Sequence, residues 1–314
     1  MWLHRFAVFT AASTIGLIYA GALVTSTGSG LAVPDWPLSF GQVFPPMVGG
    51  VFYEHGHRLI AASVGVLTVL LCVWVQLREP RRWVRRVAAA ALVAVVLQGL
   101  LGGLTVLLRL PTVVSVGHAC LAQAFLCLVV TVAECTGMRW RDGEAPRAMP
   151  SDARPFLARL AVGFVAVVYL QLVVGAVMRH IGAGLAIPDF PLAFGRVVPP
   201  LVSTPVIVHF LHRAGAVLVA GLAFWVAAHT VRRHADEREL LRPALFALGL
   251  VTLQISLGAL VIWTRKAVVP TSAHVAVGAA ILATAVVLAL RANRMPIGRV
   301  HGSEPVLVPG RATA

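Results

Sequence analysis

Residues 28–41 read Gly-Ser-Gly-Leu-Ala-Val-Pro-Asp-Trp-Pro-Leu-Ser-Phe-Gly, and residues 182–195 read Gly-Ala-Gly-Leu-Ala-Ile-Pro-Asp-Phe-Pro-Leu-Ala-Phe-Gly. Ten of these 14 positions are identical, which chance does not produce over such a length. The chain is therefore a tandem duplication, and both halves are expected to fold in the same way. The register continues beyond the loop at an offset of 154 to 156, and its matched pairs are Gln98 with Gln254, Gly102 with Gly258 and Arg109 with Arg265.

The composition around this repeat is that of a membrane protein. Hydrophobic residues make up 59% of the 314 positions, charged residues make up 12%, and the mean hydropathy is +0.87. A soluble domain usually carries about 25% charged residues, whereas runs of about 20 apolar residues can cross a hydrocarbon layer of about 30 Å. The sequence thus predicts an all-α integral membrane protein with eight transmembrane helices. The predicted spans are 6–26, 57–77, 87–108, 114–133, 158–179, 208–229, 243–263 and 272–291.

Two copies of a four-span unit account for these eight spans. An even number of spans gives both copies the same orientation, so we expect two tandem four-helix bundles related by a pseudo-two-fold axis along the membrane normal. The first apolar run lacks a cleavage-type ending, so no cleaved signal peptide is expected. The predicted organisation is an N-terminal half at residues 1–135, a cytoplasmic linker at 136–157, a C-terminal half at 158–292 and a cytoplasmic tail at 293–314.

The basic residues predict the orientation of the chain. On the predicted boundaries, 19 of the 26 Lys and Arg residues lie on the side that carries both termini. The positive-inside rule then places both termini in the cytoplasm of a bacterial-type cell (inner) membrane, with the duplicated loops outside. This topology and contact with anionic membrane lipid explain the net charge of +14, so no nucleic-acid partner is expected.

Four of the 11 histidines belong to the repeat. His57 matches His212, and each is followed directly by an arginine. His118 matches His274, and each lies nine residues after a matched arginine. Each half therefore presents two histidines, one from its second and one from its fourth span, close to the external end of the helices.

This pattern favours a haem site. An imidazole inside a membrane segment is costly without a partner, and four at matched positions indicate function rather than inter-helix packing. Two facing imidazoles in a four-helix bundle suit the axial positions of a haem iron. Zinc is the competing ion and wants three or four ligands; Glu54 could be a third ligand in the first half, but its match is His209. Arg58 and Arg213 favour haem, because guanidinium groups pair with propionates at the aqueous edge.

Taken together, these motifs resemble one known family. The pattern Glu-x-x-His-Arg at residues 54–58, the single histidines of spans four, six and eight, and the duplicated loop are similar to haem A synthase, over roughly residues 6–290. The resemblance implies that the protein oxidises the C8 methyl of haem O to a formyl group by successive hydroxylations, giving haem A for terminal oxidases. It also implies haem O synthase and a membrane redox partner as neighbours, and it leaves homo-oligomerisation open.

The resemblance further implies a role for each matched residue. His57 and His118 would bracket the substrate haem O, and His212 and His274 would ligate a permanent haem b. Glu54 matches the family's acidic residue beside the substrate, where a carboxylate one turn before an iron ligand could relay protons. Its structural alternative is to cap the helix or to pair with the arginine at position 58. Because the matching residue is a histidine, we expect chemistry in the first half and electron transfer in the second.

Two features of the loops complete the prediction. Asp35 and Asp189 are expected to cap a short helix or close a turn in an ordered loop. The family pattern places an arginine before this loop; the second half has Arg179 there, whereas the first half has Thr25. Many relatives carry loop cysteines, but this chain has none in either loop, so its cysteines are expected to pack as small apolar residues without thiol exchange. They are Cys72, Cys120, Cys127 and Cys135.

Two other functions fit part of the pattern. Four intramembrane histidines also suit a non-catalytic dihaem b-type cytochrome that takes electrons from quinol, and parallel repeats also occur in carriers. Glu54 and the paired loops favour the enzyme over the cytochrome, and the absence of Gly/Pro-interrupted spans disfavours a haem carrier. The sequence contains no phosphate-binding loop, dinucleotide fingerprint or serine triad, so nucleotide-driven transport and hydrolysis are not supported.

Overall fold

The computed structural model describes residues 1–141 and 153–294. Eight of its helices are long and apolar enough to cross a membrane, which confirms the multi-pass, all-α fold class. Most of the predicted linker, residues 142–152, and most of the predicted tail, residues 295–314, lie outside the described residues. The helices are α1 (Trp2–Ser26), α2 (Gly50–Arg78), α3 (Arg82–Leu107), α4 (Thr112–Cys135), the short α5 (Met138–Arg141), α6 (Ala153–His180), α7 (Thr204–Arg233), α8 (Arg238–Trp263) and α9 (Val268–Ala292), with a 3₁₀ turn at Ala183–Leu185.

All eight long helices begin before the predicted spans, by two to seven residues. The largest difference is at α2, which begins at Gly50, about two turns before the predicted residue 57. The residues that start α2 include polar side chains, which lower the local hydropathy. Two of them, Glu54 and His55, are nevertheless buried, so the helix continues through them. The matched histidines consequently lie about two turns inside their helices.

Each half forms a closed four-helix bundle. In the N-terminal half α1 packs on α2, α2 on α3, α3 on α4 and α4 back on α1. The C-terminal half repeats this order with α6, α7, α8 and α9. Each bundle surrounds its own apolar core, in which small residues such as Ala88 and Ala244 allow close helix contact. In lipid, helices are favoured because they satisfy all backbone hydrogen bonds internally.

The halves meet through helices that the duplication makes equivalent. Helix α1 packs on α9 and α6 packs on α4, and the duplication exchanges these two contacts. Helices α4 and α9, which are each other's counterparts, also pack directly. This is the contact pattern that a pseudo-two-fold axis between the bundles would produce.

An ion pair ties the halves together away from the duplicated loops. Arg291 of α9 donates from Nε and Nη2 to the Glu134 carboxylate of α4, at 2.8 and 2.9 Å. We call the opposite end of the bundles, where residues 27–49 and 181–203 lie, the loop face. The pair therefore fixes α4 to α9 at the end farthest from the loop face.

The four cysteines are free thiols within the helices. Cys72 and Cys135 are buried in the N-terminal core, and Cys127 packs against both cores. Three of the four cysteines thus pack in the cores as predicted, and for Cys120 the packing role stays a prediction.

Each loop starts with a left-handed glycine and closes over its bundle. Gly28 (φ 68°) and Gly182 (φ 73°) follow α1 and α6 at matched positions, in a conformation that a side chain would strain. After Gly28 the loop crosses α3, where the Trp36 ring lies so close to Gly103 that a Cβ there would be 2.6 Å from Cδ2. The second half has Phe190 and Ala259 at these positions. The second half thus combines a smaller aromatic ring on the loop with a larger residue on the helix.

We predict that Gly103→Ala destabilises the protein by about 1–3 kcal/mol, because the added methyl group overpacks against a rigid ring. Trp36→Phe in the same chain should restore most of the loss, since it recreates the combination found in the second half. Thermal unfolding in detergent measures both effects.

Gly99→Ala is the matched control. It lies one turn earlier on α3, where an added Cβ meets nothing within 4 Å, so it should be neutral or slightly stabilising. Equal melting temperatures for Gly99→Ala and Gly103→Ala would show that the Trp36 contact does not limit the site.

Candidate haem sites

Each of the four repeated histidines faces a glycine on the helix that precedes it. In the N-terminal half, a Cβ added to Gly21 would lie 3.0 Å from Cε1 of His57. One added to Gly102 would lie 3.2 Å from Cε1 of His118. Because these positions lack a side chain, each imidazole lies directly against the neighbouring backbone. The same arrangement recurs in the C-terminal half, between Gly175 and His212 at 3.0 Å and between Gly258 and His274 at 3.2 Å.

His212 and His274 face each other in the C-terminal half. Their ring centres are 6.3 Å apart, and the ring planes are inclined by 64°. A bond from an imidazole nitrogen to a metal ion is about 2 Å long, so two axial imidazoles on one ion have ring centres about 6 Å apart. The two rings therefore have the separation that a haem iron between them requires.

Hydrogen bonds orient both of these rings. Nδ1 of His274 donates to the backbone carbonyl of Gln254 at 3.1 Å. Metal-binding histidines usually donate in this way from the nitrogen that does not bind the metal. His274 therefore has Nε2 available to iron. Nδ1 of His212 lies 3.1 Å from Nε2 of the Gln171 amide, which holds this ring in place.

The N-terminal pair has fewer partners. Nδ1 of His57 and Nδ1 of His118 are buried without a hydrogen bond among the described residues. Nε2 of Gln98 lies 3.3 Å from Nε2 of His118 and donates to its backbone carbonyl at 3.0 Å. The two histidines are close enough to interact electrostatically. Buried imidazole nitrogens without partners fit a ligand that enters this bundle.

An arginine after the histidine of α2 holds the loop in place. Nη1 of Arg58 donates to the carbonyls of Asp35 at 2.8 Å and Leu38 at 2.9 Å, and Nη2 donates to that of Val33 at 3.3 Å. Glu54 accepts from Nη2 of Arg58 at 2.7 Å and from the backbone N–H of Val33 at 2.9 Å. The Glu54 side chain is buried, so its ion pair with Arg58 is shielded from solvent. Loop and helix are thus joined at the position beside His57.

The C-terminal half makes the same connections with a histidine in place of the glutamate. Nη1 of Arg213 donates to the carbonyl of Leu192 at 2.8 Å, and Nη2 donates to those of Asp189 at 2.7 Å and Ile187 at 3.1 Å. The two ring nitrogens of His209 lie 3.2 Å from the backbone nitrogen of Ile187 and 3.2 Å from Nε of Arg213, and a neutral imidazole accepts at only one of them. His209 therefore takes the place of Glu54 between loop and arginine but replaces only one of its two hydrogen bonds.

These contacts decide between several predicted roles. Glu54 does not cap α2, because it lies more than one turn inside the helix; its pairing with Arg58 is confirmed. Of the two roles predicted for Arg58 and Arg213, the loop contacts are observed, and the propionate contacts stay a prediction.

No group of three or more His, Cys, Asp or Glu side chains within residues 1–141 and 153–294 is placed to hold a metal ion, so the zinc alternative finds no ligand set there.

The two loop aspartates close turns, as predicted. Asp35 accepts from the backbone N–H groups of Phe40 and Gly41 at 2.7 and 2.8 Å. Asp189 makes the same pair of bonds with residues 194 and 195. These backbone donors stabilise the charged carboxylates and lower the pKa of Asp35 and of Asp189 below the ordinary value. Both loops are therefore built as ordered turns.

One buried polar pair differs between the halves and belongs to none of the motifs used to predict the sites. Ser39 Oγ lies 2.8 Å from Nδ1 of His55, and both residues are buried. The matching residues of the second half are Ala193 and Phe210, which cannot make this bond. The only sequence signal is this difference between the copies, which shows once the halves are aligned position by position.

The fold and the sites define a class of protein: a polytopic membrane protein whose two repeated bundles each carry a histidine pair suited to haem. The chain belongs to the COX15-CtaA family, whose sequence model, described as a cytochrome oxidase assembly protein, matches residues 50–286.

Similar proteins cover most of the chain. The heme A synthase of Symbiobacterium thermophilum is 36% identical over 248 residues, which are 76% of this chain and 79% of the relative. That of Shouchella clausii is 31% identical over 84% of this chain and 88% of its own length. That of Alkalihalophilus pseudofirmus is 30% identical over 84% and 89%. The cytochrome and carrier alternatives are therefore not favoured.

Proposed function

We propose that this protein makes haem A by oxidising the C8 methyl of haem O to a formyl group. The observation that carries the proposal is the unequal pair of haem sites in a member of this family. Both halves place two histidines on facing helices, but only the N-terminal half has a buried carboxylate one turn before a histidine. One site thus has a carboxylate for proton transfer, whereas the other has the imidazole of His209 at that position.

In the C-terminal half, His212 and His274 hold a haem b as a resident cofactor. The ring separation of 6.3 Å supports this assignment. When bound, haem b supplies one-electron transfer. Gln171 and the carbonyl of Gln254 keep the two imidazoles in their orientation, and each imidazole lies against a glycine of the preceding helix.

In the N-terminal half, His57 and His118 bracket haem O. Conversion of a methyl to a formyl group replaces two hydrogens on one carbon by an oxygen and removes four electrons, which pass to the redox partner, so the site has to move protons. Glu54 is the acid–base group one turn from His57, and its carboxylate passes protons towards the loop. Arg58 pairs with Oε1 of that carboxylate and holds it one turn from His57.

The orientation of the sites follows from the charges. We place the loop face outside and both termini in the cytoplasm, because the basic residues concentrate at the end opposite the loops. Haem O then arrives within the bilayer from haem O synthase, and electrons leave to a membrane redox partner.

The activity is tested by co-expressing the chain with a haem O synthase in a host that lacks haem A. Chromatography of the extracted haems should show haem A or the C8 hydroxymethyl intermediate. Unchanged haem O beside a normal b-type spectrum of the purified protein would contradict the proposed activity.

A second experiment separates the two sites. We expect His212→Ala and His274→Ala to deplete haem b from the purified protein, because each removes an axial ligand. His57→Ala is the matched control and should keep haem b while losing product. Absorption spectra and haem extraction measure both, and equal loss of haem b in all three variants would show that the halves are not divided as proposed.

The role of Glu54 is tested by Glu54→Gln, which keeps a side-chain oxygen that can accept from the backbone N–H of Val33 but cannot exchange protons. This variant should therefore keep its haem b. It should lose at least about a hundredfold in turnover, because a general acid–base group contributes about 10²–10⁴. Full turnover in Glu54→Gln would reduce Glu54 to a loop anchor.

A further inference from the structure

The guanidinium groups predicted to meet haem propionates are largely occupied. A guanidinium has five N–H donors. Four contacts of Arg213 go to His209 and to loop carbonyls, and both terminal nitrogens of Arg58 are likewise engaged. Haem carboxylates near this end of the bundle therefore call for a different cation.

Arg179 stands where the two halves meet on the loop face. Its Nη2 donates to the backbone carbonyl of Ala22 at 2.8 Å and to Oγ of Ser26 at 2.9 Å, both on α1 of the other half. Oγ of Ser26 also accepts from Oγ of Ser272 at 3.0 Å. Ser272 lies on α9, two residues before His274. The guanidinium is thus held at the junction of α1, α6 and α9, next to the C-terminal histidine pair.

The charge of this arginine lacks a counter-ion in the part of the chain that the structure describes. Arg179 makes no ion pair with residues 1–141 or 153–294, and its Nε and Nη1 have no hydrogen-bond acceptor among them. The side chain is partly buried, and its charge acts on the imidazole of His274. An unpaired cation in an apolar setting is costly, so the free donors favour binding of an anion.

The duplication places no such cation in the first half. The residue that matches Arg179 is Thr25, whose hydroxyl donates back to the carbonyl of Gly21 on its own helix. A threonine cannot form an ion pair. The two haem sites therefore differ in electrostatics at their shared boundary as well as at Glu54.

We propose that Arg179 binds a propionate of the haem in the C-terminal half and so keeps that haem resident, while Thr25 leaves the haem of the N-terminal half free to exchange. The inference rests on the proposed function, in which one haem is cofactor and the other is substrate. The free Nε and Nη1 donors face a carboxylate in this arrangement, which is the strongest type of hydrogen bond available to them. Residence of the cofactor and release of the product then follow from one position in the repeat.

The test is the rate at which haem b leaves the purified protein for an excess of apomyoglobin. Arg179→Gln should release haem at least about tenfold faster than the unchanged protein, because a charge-assisted contact is lost. Arg179→Lys should restore part of the retention. Arg196→Gln removes an exposed arginine of the loop face and should release haem at the original rate.

Two arms separate the propionate from other anions. Haem b dimethyl ester has no carboxylate, so it should leave the unchanged protein and Arg179→Gln at the same fast rate. Slow release of the ester from the unchanged protein would overturn the propionate contact, and would leave a lipid phosphate as the anion that Arg179 binds. Thr25→Arg should raise the haem recovered per chain from a host that makes haem O, because the N-terminal site then retains its haem.

The outcomes distinguish the two proposals. A protein that purifies without haem, and makes no haem A, contradicts the proposed function. A protein that contains haem b, but releases it equally fast with and without Arg179, overturns only this inference. If Arg179→Gln does not fold, Thr25→Arg decides, and an unchanged haem content in that folded variant overturns the inference.

Discussion

An arginine bound to backbone carbonyls under each loop is the interaction on which both sites depend. A loop that closes over a helix bundle buries carbonyl groups that need hydrogen-bond donors from the protein. Arg58 and Arg213 supply donors to three loop carbonyls each. Because each arginine directly follows a site histidine on the same helix, the loop and the imidazole are positioned together. Loss of either arginine would release the loop and change the surroundings of the histidine beside it.

Within this shared frame, the residue one turn before the histidine differs between the halves. Glu54 and His209 both lie against the loop and the arginine, so the frame tolerates either residue. This tolerance allows the acid–base character of one site to change without loss of its architecture. Arg179 and Thr25 differ in the same way at the boundary between the halves. Chemical division between two copies of one fold can thus arise from single substitutions at positions where both residues fit.

The repeat and the hydropathy predicted much of the fold. Eight spans, two equal bundles and four matched histidines all follow from the apolar runs and from the tandem duplication of the sequence. The start of α2 could not be predicted in this way, because buried polar residues such as Glu54 resemble a loop when only hydropathy is considered. The contacts of Arg58 could not be predicted either, since backbone carbonyls have no sequence signature. The Trp36–Gly103 packing shows only when the size of the matching pair in the other half is compared.

Helices α4 and α9 pack directly against each other, and each carries one histidine of its site. The two sites therefore share a wall, and the Arg291–Glu134 pair locks that wall at its far end. Groups bound on either side of it are kept at a fixed separation, whatever happens at the lipid-facing helices α2, α3, α7 and α8. Under the proposed function, entry of haem O would open the N-terminal bundle outwards while the path for an electron between the halves keeps its length. Substrate traffic and charge transfer would then take place on opposite sides of the same helices.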